Sequence, residues 1–294
     1  MYAPQSVPVT PLTPRASVLC GLFGTDIAGT RSPAMHEAEA AALGLRYVYR
    51  PVDFAPLGRD ASALPEMLAA AEAFGFDGLN ITHPFKQAVI PLLHEVSDDA
   101  RAIGAVNTVV LRQGRRIGHN TDWWGFAENL RRFLPDVALD RVVQVGAGGA
   151  GAAVAHAMLT LGTGELVLHD LDAARAEALA ARLNARFGAG RVRRAADLAG
   201  ELARADGLVQ ASPVGMQGHP GLPVPAEALR PTLWVAEVVY FPLETELLRR
   251  ARAAGCRTLD GGGMAVLQAA EALRLFTGVA PDIDRMLRRF AADA

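Results

Sequence analysis

The stretch RVVQVGAGGAG, Arg141 to Gly151, decides the fold. A valine-rich run of strand character meets Gly146, Gly148 and Gly151, and the following AAVAHAMLTLG has the apolar spacing of a buried helix. A G-x-G-x-x-G cluster between a strand and a helix is the turn that cradles a dinucleotide pyrophosphate. Its first glycine permits the tight turn, its second lets the backbone approach the anion, and its third lets helix and strand pack closely. Unpaired N–H groups at the helix start then face the negative charge. Gly146, Ala147, Gly148, Gly149, Ala150 and Gly151 are therefore expected to line a nucleotide site.

Reading toward the C-terminus, ELVLHD is the next strand, and it ends in Asp170, 19 residues after Gly151. An acidic side chain there accepts hydrogen bonds from the adenine ribose hydroxyls and repels a 2′-phosphate. NAD is thus expected over NADP, with Asp172 adding to the repulsion and Arg175 the one close cation. A plain turn cap before the helix at Asp172 is the structural alternative for Asp170. ARAEALAARLNARFG reads as the next helix, and GLVQASPVGM and LWVAEVVY as later strands of a parallel sheet. Val238 and Gly261 complete the expected cofactor contacts. After DGGGM the chain ends in helices, from Ala265 to about Phe276 and from Ile283 onward.

Toward the N-terminus, from residue 17 to about 121, strand-length apolar runs alternate with helical patterns. SVLCGLFG, RYVYRPV and GLNIT read as strands. SPAMHEAEAAALG reads as a helix with Ser32 as N-cap, Pro33 as first helical residue and Gly44 as stop, and Leu64 to Phe74 as a second helix. AVNTVVLRQGRRIGHNTD suggests a hairpin turning at Gln113 and Gly114. The whole is an α/β protein with a mixed-sheet first domain and a Rossmann-type second one.

Composition narrows the function. A net charge of −2 with both signs scattered gives no footprint for nucleic acid. Cys20 and Cys256 are the only cysteines, far apart and outside any metal-binding spacing, which fits a reducing cytoplasm. His36-Glu37 lacks the second histidine of a zinc helix motif, because Ala40 stands in its place, so no metal is expected. No stretch approaches the roughly 20 apolar residues of a membrane span. Residues 1–16 carry four prolines and no apolar segment, the composition of a disordered tail rather than a signal peptide.

GLNITHPFKQ, Gly78 to Gln87, crowds polar groups onto the end of an apolar strand. Asn80 and Thr82 alternate with Leu79 and Ile81 and so share a face. Asn107 interrupts another apolar run, and Asp122 closes GHNTD at the seam between the domains, where two-domain enzymes commonly enclose substrate. Each has a structural reading too: Asn80 and Thr82 as turn formers, Asn107 as a bulge, Asp122 as the cap of a helix from Trp123, and Lys86 as an exposed helix lysine.

RSPAMH, NITHPFKQ, GAVNT, GHNTD, GAGGAG, VVYFPLETELL and DGGGMAVLQAA occur in the order found in the shikimate dehydrogenases. The chain resembles that family over nearly its whole length after residue 17, and most closely its NAD-preferring quinate/shikimate branch. The resemblance implies that Lys86 and Asp122 are the catalytic pair and that Thr30 and Ser32 hold the substrate carboxylate. It implies that Asn80, Thr82, Asn107 and Gln268 grip the substrate hydroxyls, with Tyr240 lining the same pocket. It also implies that the C-terminal helices return to the first domain. The expected substrate domain is then 17–121 plus 265–294, and the NAD domain 122–264. The partner is a small molecule, in a monomer or homodimer.

These roles make chemical sense. Thr30 and Ser32 sit at the start of the helix at Pro33, where free N–H groups favour an anion. Oxidation of a carbinol by nicotinamide requires loss of the hydroxyl proton, which Lys86 would carry while Asp122 orients it. HDLD replaces the Asn-Arg-Thr cluster of the NADP-using members, and His119 and Thr30 replace aspartate and serine. Gly262 and Gly263 look more like the biosynthetic form and leave substrate breadth open. Another two-domain dehydrogenase, acting on methylene-tetrahydrofolate or an amino acid, and a silent NAD sensor are the competing readings. The carboxylate site and Gln268 oppose the first, and the paired Lys86 and Asp122 the second.

Overall fold

A chain that alternates strand and helix signals can bury its apolar faces only by stacking helices on sheets, and the computed structural model shows this twice. It describes residues 17–292. The tail expected over 1–16 lies outside the described residues.

In chain order the first elements are β1 (Val18–Gly24), α1 (Ser32–Ala42), β2 (Tyr47–Asp53), α2 (Leu64–Ala73) and β3 (Gly78–Ile81). Next come β4 (Glu95–Val96), α3 (Asp98–Ile103), β5 (Thr108–Arg112) and β6 (Arg115–His119). Then follow α4 (Asp122–Phe133), β7 (Arg141–Val145), α5 (Gly149–Thr160), β8 (Glu165–His169), α6 (Ala173–Phe187) and β9 (Val192–Arg194). The chain continues through α7 (Leu198–Arg204), β10 (Gly207–Gln210), β11 (Trp234–Glu237), α8 (Glu246–Ala253) and β12 (Thr258–Leu259). It closes with α9 (Gly262–Thr277) and α10 (Ile283–Ala292).

Two compact units result. One holds the described residues up to Ala100, Val106–Thr121 and the segment from Ala269; the other holds Arg101–Ala105 and Asp122–Gln268. The first unit has a mixed sheet in the order β2-β1-β3-β5-β6-β4, with β5 antiparallel to both β3 and β6. Gln113 and Gly114 turn the β5–β6 hairpin with φ of 53° and 71°, the left-handed pair of a two-residue loop. Along the strands, side chains alternate between two cores. Leu79, Ile81, Val109 and Leu111 enter one, and Cys20, Leu22, Tyr49 and Val110 enter the other, which Leu275 and Phe276 of α9 cover.

The second unit has a sheet of order β12-β11-β10-β7-β8-β9, parallel at every pairing. Its inner strands β7, β8, β10 and β11 are buried on both faces, as doubly wound sheets require. Val142, Leu166, Leu168 and Val209 enter one core, while Val143, Val167, Leu208 and Val235 enter the other. The strand order reverses between β7 and β10, the switch point where such sheets bind ligands.

Two local expectations are corrected. Ser32 is the first residue of α1, not its cap; Arg31 is the N-cap, and its guanidinium, which has no acceptor, makes no cap bond. The reason is that the Thr30 hydroxyl already accepts from the Ser32 N–H at 3.3 Å, so the turn is held from one residue earlier. Gly44, with φ of 73°, does end the segment. Lys86 lies not on a helix but in the run of turns after β3, which is short because the backbone is tied sideways: Val106 N–H donates to the Lys86 carbonyl at 2.8 Å.

Candidate active site

In the second unit the glycine turn is fixed from both neighbours of β7. Gly146 N–H donates to the His169 carbonyl at 2.8 Å, and Ala211 N–H to the Val145 carbonyl at 2.7 Å. Gly146 has φ of 102°, and a Cβ there would stand 2.5 Å from the Ala211 backbone. A Cβ on Gly151 would collide with the Gly146 carbonyl, whereas one on Gly148 would meet nothing within 4 Å. First and third glycines are thus demanded by the fold, and the second leaves open the space where an anion approaches. No side chain caps α5 at Gly148, so its first N–H groups are not claimed by a capping group. The turn fits a dinucleotide pyrophosphate.

Asp170 follows β8 and joins this turn. Its Oδ2 accepts from Ala147 N–H at 2.7 Å and its Oδ1 from Asp172 N–H at 2.9 Å. Beyond these two bonds its oxygens keep further lone-pair directions, one side of which faces Arg175. Asp172 caps α6 through the Arg175 N–H, and the Arg175 guanidinium stands 3.5 Å from Asp170 and 3.4 Å from Asp172. The turn-cap reading and the cofactor reading of Asp170 are therefore compatible. Val238 and Gly261 are also together: a Cβ on Gly261 would strike the Val238 carbonyl, so only glycine lets these backbones meet.

Gln144 was not foreseen. Its buried amide donates to the Gly146 and Gly151 carbonyls, both at 2.8 Å, and so closes the turn from below. A polar residue inside RVVQV was the available signal. Glu237 was also missed. It is 1% exposed at the end of β11, where Oε1 accepts from Val238 and Val239 N–H and Oε2 from the Thr245 hydroxyl. Burial outweighs those bonds and pushes its carboxyl up to about 7. It anchors the loop carrying Val238 and Tyr240, whose side chain is exposed.

In the first unit the polar residues form two hydrogen-bonded groups. The Thr30 hydroxyl donates to Ser32 Oγ at 3.2 Å. The Tyr49 phenol donates to Asn80 Oδ1 at 2.8 Å, and Asn80 Nδ2 donates to Thr108 Oγ1 at 3.0 Å and to the Asn107 carbonyl at 3.2 Å. The Thr108 hydroxyl donates to Asn107 Oδ1 at 3.1 Å, which also accepts the Thr121 N–H at 2.7 Å. Asn107 therefore clasps the residue directly preceding Asp122. It is no bulge: its N–H donates to the His119 carbonyl at 3.1 Å, beside the hairpin pair Thr108 and His119. Thr82 is half-buried, with its methyl filling the space that Gly24 leaves. Lys86 is half-buried beside the fully buried Phe85.

Asp122, Tyr240 and Gln268 belong to the second unit. Asp122 is buried as the first residue of α4, and Gln268 Nε2 donates to the Ala265 carbonyl of its own helix at 3.0 Å. Burial, with the charge of Arg274, pulls His119 down to about 4, so its imidazole is neutral. His83 is exposed. Among the described residues no three His, Cys, Asp or Glu side chains gather as metal ligands, and no helix is long and apolar enough to cross a membrane.

Comparison with known proteins bears on both units. The shikimate dehydrogenase substrate binding domain matches residues 22–109, and the shikimate 5′-dehydrogenase C-terminal domain matches residues 261–289. A shikimate dehydrogenase (NADP(+)) of Streptomyces avermitilis is 58% identical over 94% of this chain and 95% of its own. A quinate/shikimate dehydrogenase (NAD(+)) of Corynebacterium efficiens is 52% identical over 93% of this chain and 98% of its own. The solved structure of quinate dehydrogenase from Corynebacterium glutamicum in complex with NAD matches with a TM-score of 0.88 at 50% identity, covering 94% of this chain and 99% of that one.

Proposed function

The chain belongs to the shikimate dehydrogenase family, and from that premise we propose that it interconverts shikimate with 3-dehydroshikimate, quinate with 3-dehydroquinate, or both, preferring NAD. The observation that carries the substrate reading is the buried network from Tyr49 through Asn80 and Asn107 to Thr121, together with the Thr30 and Ser32 hydroxyl pair, in the unit that also holds Lys86. A carboxylate needs the hydroxyl pair at the start of α1, and a polyol needs amide groups with fixed directions.

Bound NAD supplies the hydride acceptor. Lys86 takes the proton of the substrate hydroxyl as the carbinol is oxidised, and its ammonium returns that proton to the carbonyl oxygen in reduction. Asp122 orients the Lys86 ammonium and the reacting hydroxyl. Thr30 and Ser32 fix the carboxylate, Asn80, Thr82, Asn107 and Gln268 the hydroxyls, and Tyr240 lines the pocket. Asp170 supports NAD, since a 2′-phosphate would stand against a carboxylate already anchored by two backbone N–H groups. Arg175, shared between Asp170 and Asp172, offers that phosphate little charge. The two relatives named above differ in their cofactor, so the preference is measured directly. Initial rates of NADH and NADPH formation with saturating shikimate and quinate should show at least one substrate oxidised, and NAD favoured about tenfold or more in kcat/KM. Absence of both products with both substrates would overturn the reading.

A further inference from the structure

We infer that Tyr49 is a positioning residue for the substrate, fixing the direction of the amide expected to hold a ring hydroxyl. The inference rests on the function proposed above and deepens it. Tyr49 lies on β2, a strand whose sequence advertises only packing, and it is 3% exposed. Its backbone N–H donates to Glu37 Oε1 at 2.9 Å, and its ring stacks on His36 with centroids 4.6 Å apart. Held at backbone and ring, the phenol has little freedom, and its hydroxyl donates to Asn80 Oδ1 at 2.8 Å. Burial holds that phenol well above its ordinary range, so it remains a donor.

The consequence falls on Asn80. Its Nδ2 spends both protons, on Thr108 Oγ1 and on the Asn107 carbonyl, an acceptor that fixes which way the amide faces. Its Oδ1 has two lone pairs, of which Tyr49 occupies one. What Asn80 can offer a ligand is therefore one acceptor position, whose direction the Tyr49 hydroxyl sets. A ring hydroxyl donating to it would be read in a fixed direction, because the phenol that sets it is itself held at backbone and ring. Tyr47, two residues earlier on the same strand, serves as the contrast: its hydroxyl meets His36 Nδ1 at 3.3 Å and no part of that network.

The test compares Tyr49→Phe with Tyr47→Phe in the full-length enzyme. Each variant keeps its ring and loses one largely buried hydroxyl. In Tyr49→Phe the KM for shikimate or quinate should rise about tenfold, the value of one well-placed hydrogen bond. kcat and the KM for NAD should stay within about threefold. In Tyr47→Phe all three should stay within about twofold. An unchanged substrate KM in Tyr49→Phe, or an equal rise in both variants, overturns the inference while leaving the proposed function standing. A wild-type enzyme that oxidises neither substrate overturns both.

Discussion

Glu237 is the residue whose chemistry is least visible in the sequence and most exposed to pH. In LWVAEVVY it reads as a polar interruption, yet it is 1% exposed and accepts three hydrogen bonds. With its carboxyl raised from 4.5 to about 7, the folded protein binds a proton that the unfolded chain has released between those values. This contribution to stability is complete below about pH 4.5 and is lost as pH rises through 7, a change of up to about 3 kcal/mol. Glu237→Gln should flatten the fall in urea-unfolding stability between pH 5 and 7. A slope identical to wild type would assign the pH response to other groups. Gln144 has its partners only two and seven residues away, inside the glycine turn, whereas Tyr49 reaches much farther. A sequence shows that a hydrogen-bonding group sits in an apolar run, but its partner is 31 residues away for Tyr49, and that pairing is made by the sheet.

At the scale of elements, signals with local causes were legible. The strand, glycine turn and helix of Arg141 to Thr160 depend on φ, on close approach and on helix periodicity, all written within 20 residues. The hairpin at Gln113 and Gly114 is as local. Strands β4, β9 and β12, of two or three residues, are too short to carry a period and are defined by their sheet partners. The cap of α1 lies one residue before the serine that its composition favours, because a threonine hydroxyl, not Ser32, holds the first turn. The glycine turn itself separates fold from function. Gly148 has φ of −71° and ψ of −166°, open to any residue, and no neighbour within 4 Å of a Cβ. Gly148→Ala should leave Tm within about 1 °C, as for a substitution that disturbs no packing, and raise the KM for NAD about tenfold or more. Gly151→Ala, driven into the Gly146 carbonyl, should cost about 1–3 kcal/mol in stability. A Gly148→Ala enzyme with normal NAD kinetics would remove the dinucleotide from this turn.

At the scale of the whole molecule, the chain's end completes its beginning. Phe276 of α9 is fully buried against Gly78 of β3, where a Cβ would run into its ring, and the Arg112 guanidinium donates to its carbonyl at 3.1 Å. From α10, Arg285 grips the buried Glu39 of α1 through two nitrogens. Gly78→Ala should therefore destabilise by about 1–3 kcal/mol through overpacking. Phe276→Leu in the same chain should recover part of that loss, a coupling read by a double-mutant cycle. Simple additivity would contradict this packing. No local pattern announces such a contact across nearly 200 residues. It became expected only through the order of motifs along the chain.

The proposed reaction draws Lys86 from one unit and the dinucleotide turn from the other, and its central claim is that Lys86 carries the proton. Steady-state kinetics of Lys86→Ala with the preferred substrate and NAD test this most directly. The prediction is a kcat lower by about 10²-fold or more with the substrate KM within about threefold of wild type. A kcat close to wild type, with only KM raised, would reduce Lys86 to a binding group and contradict the account.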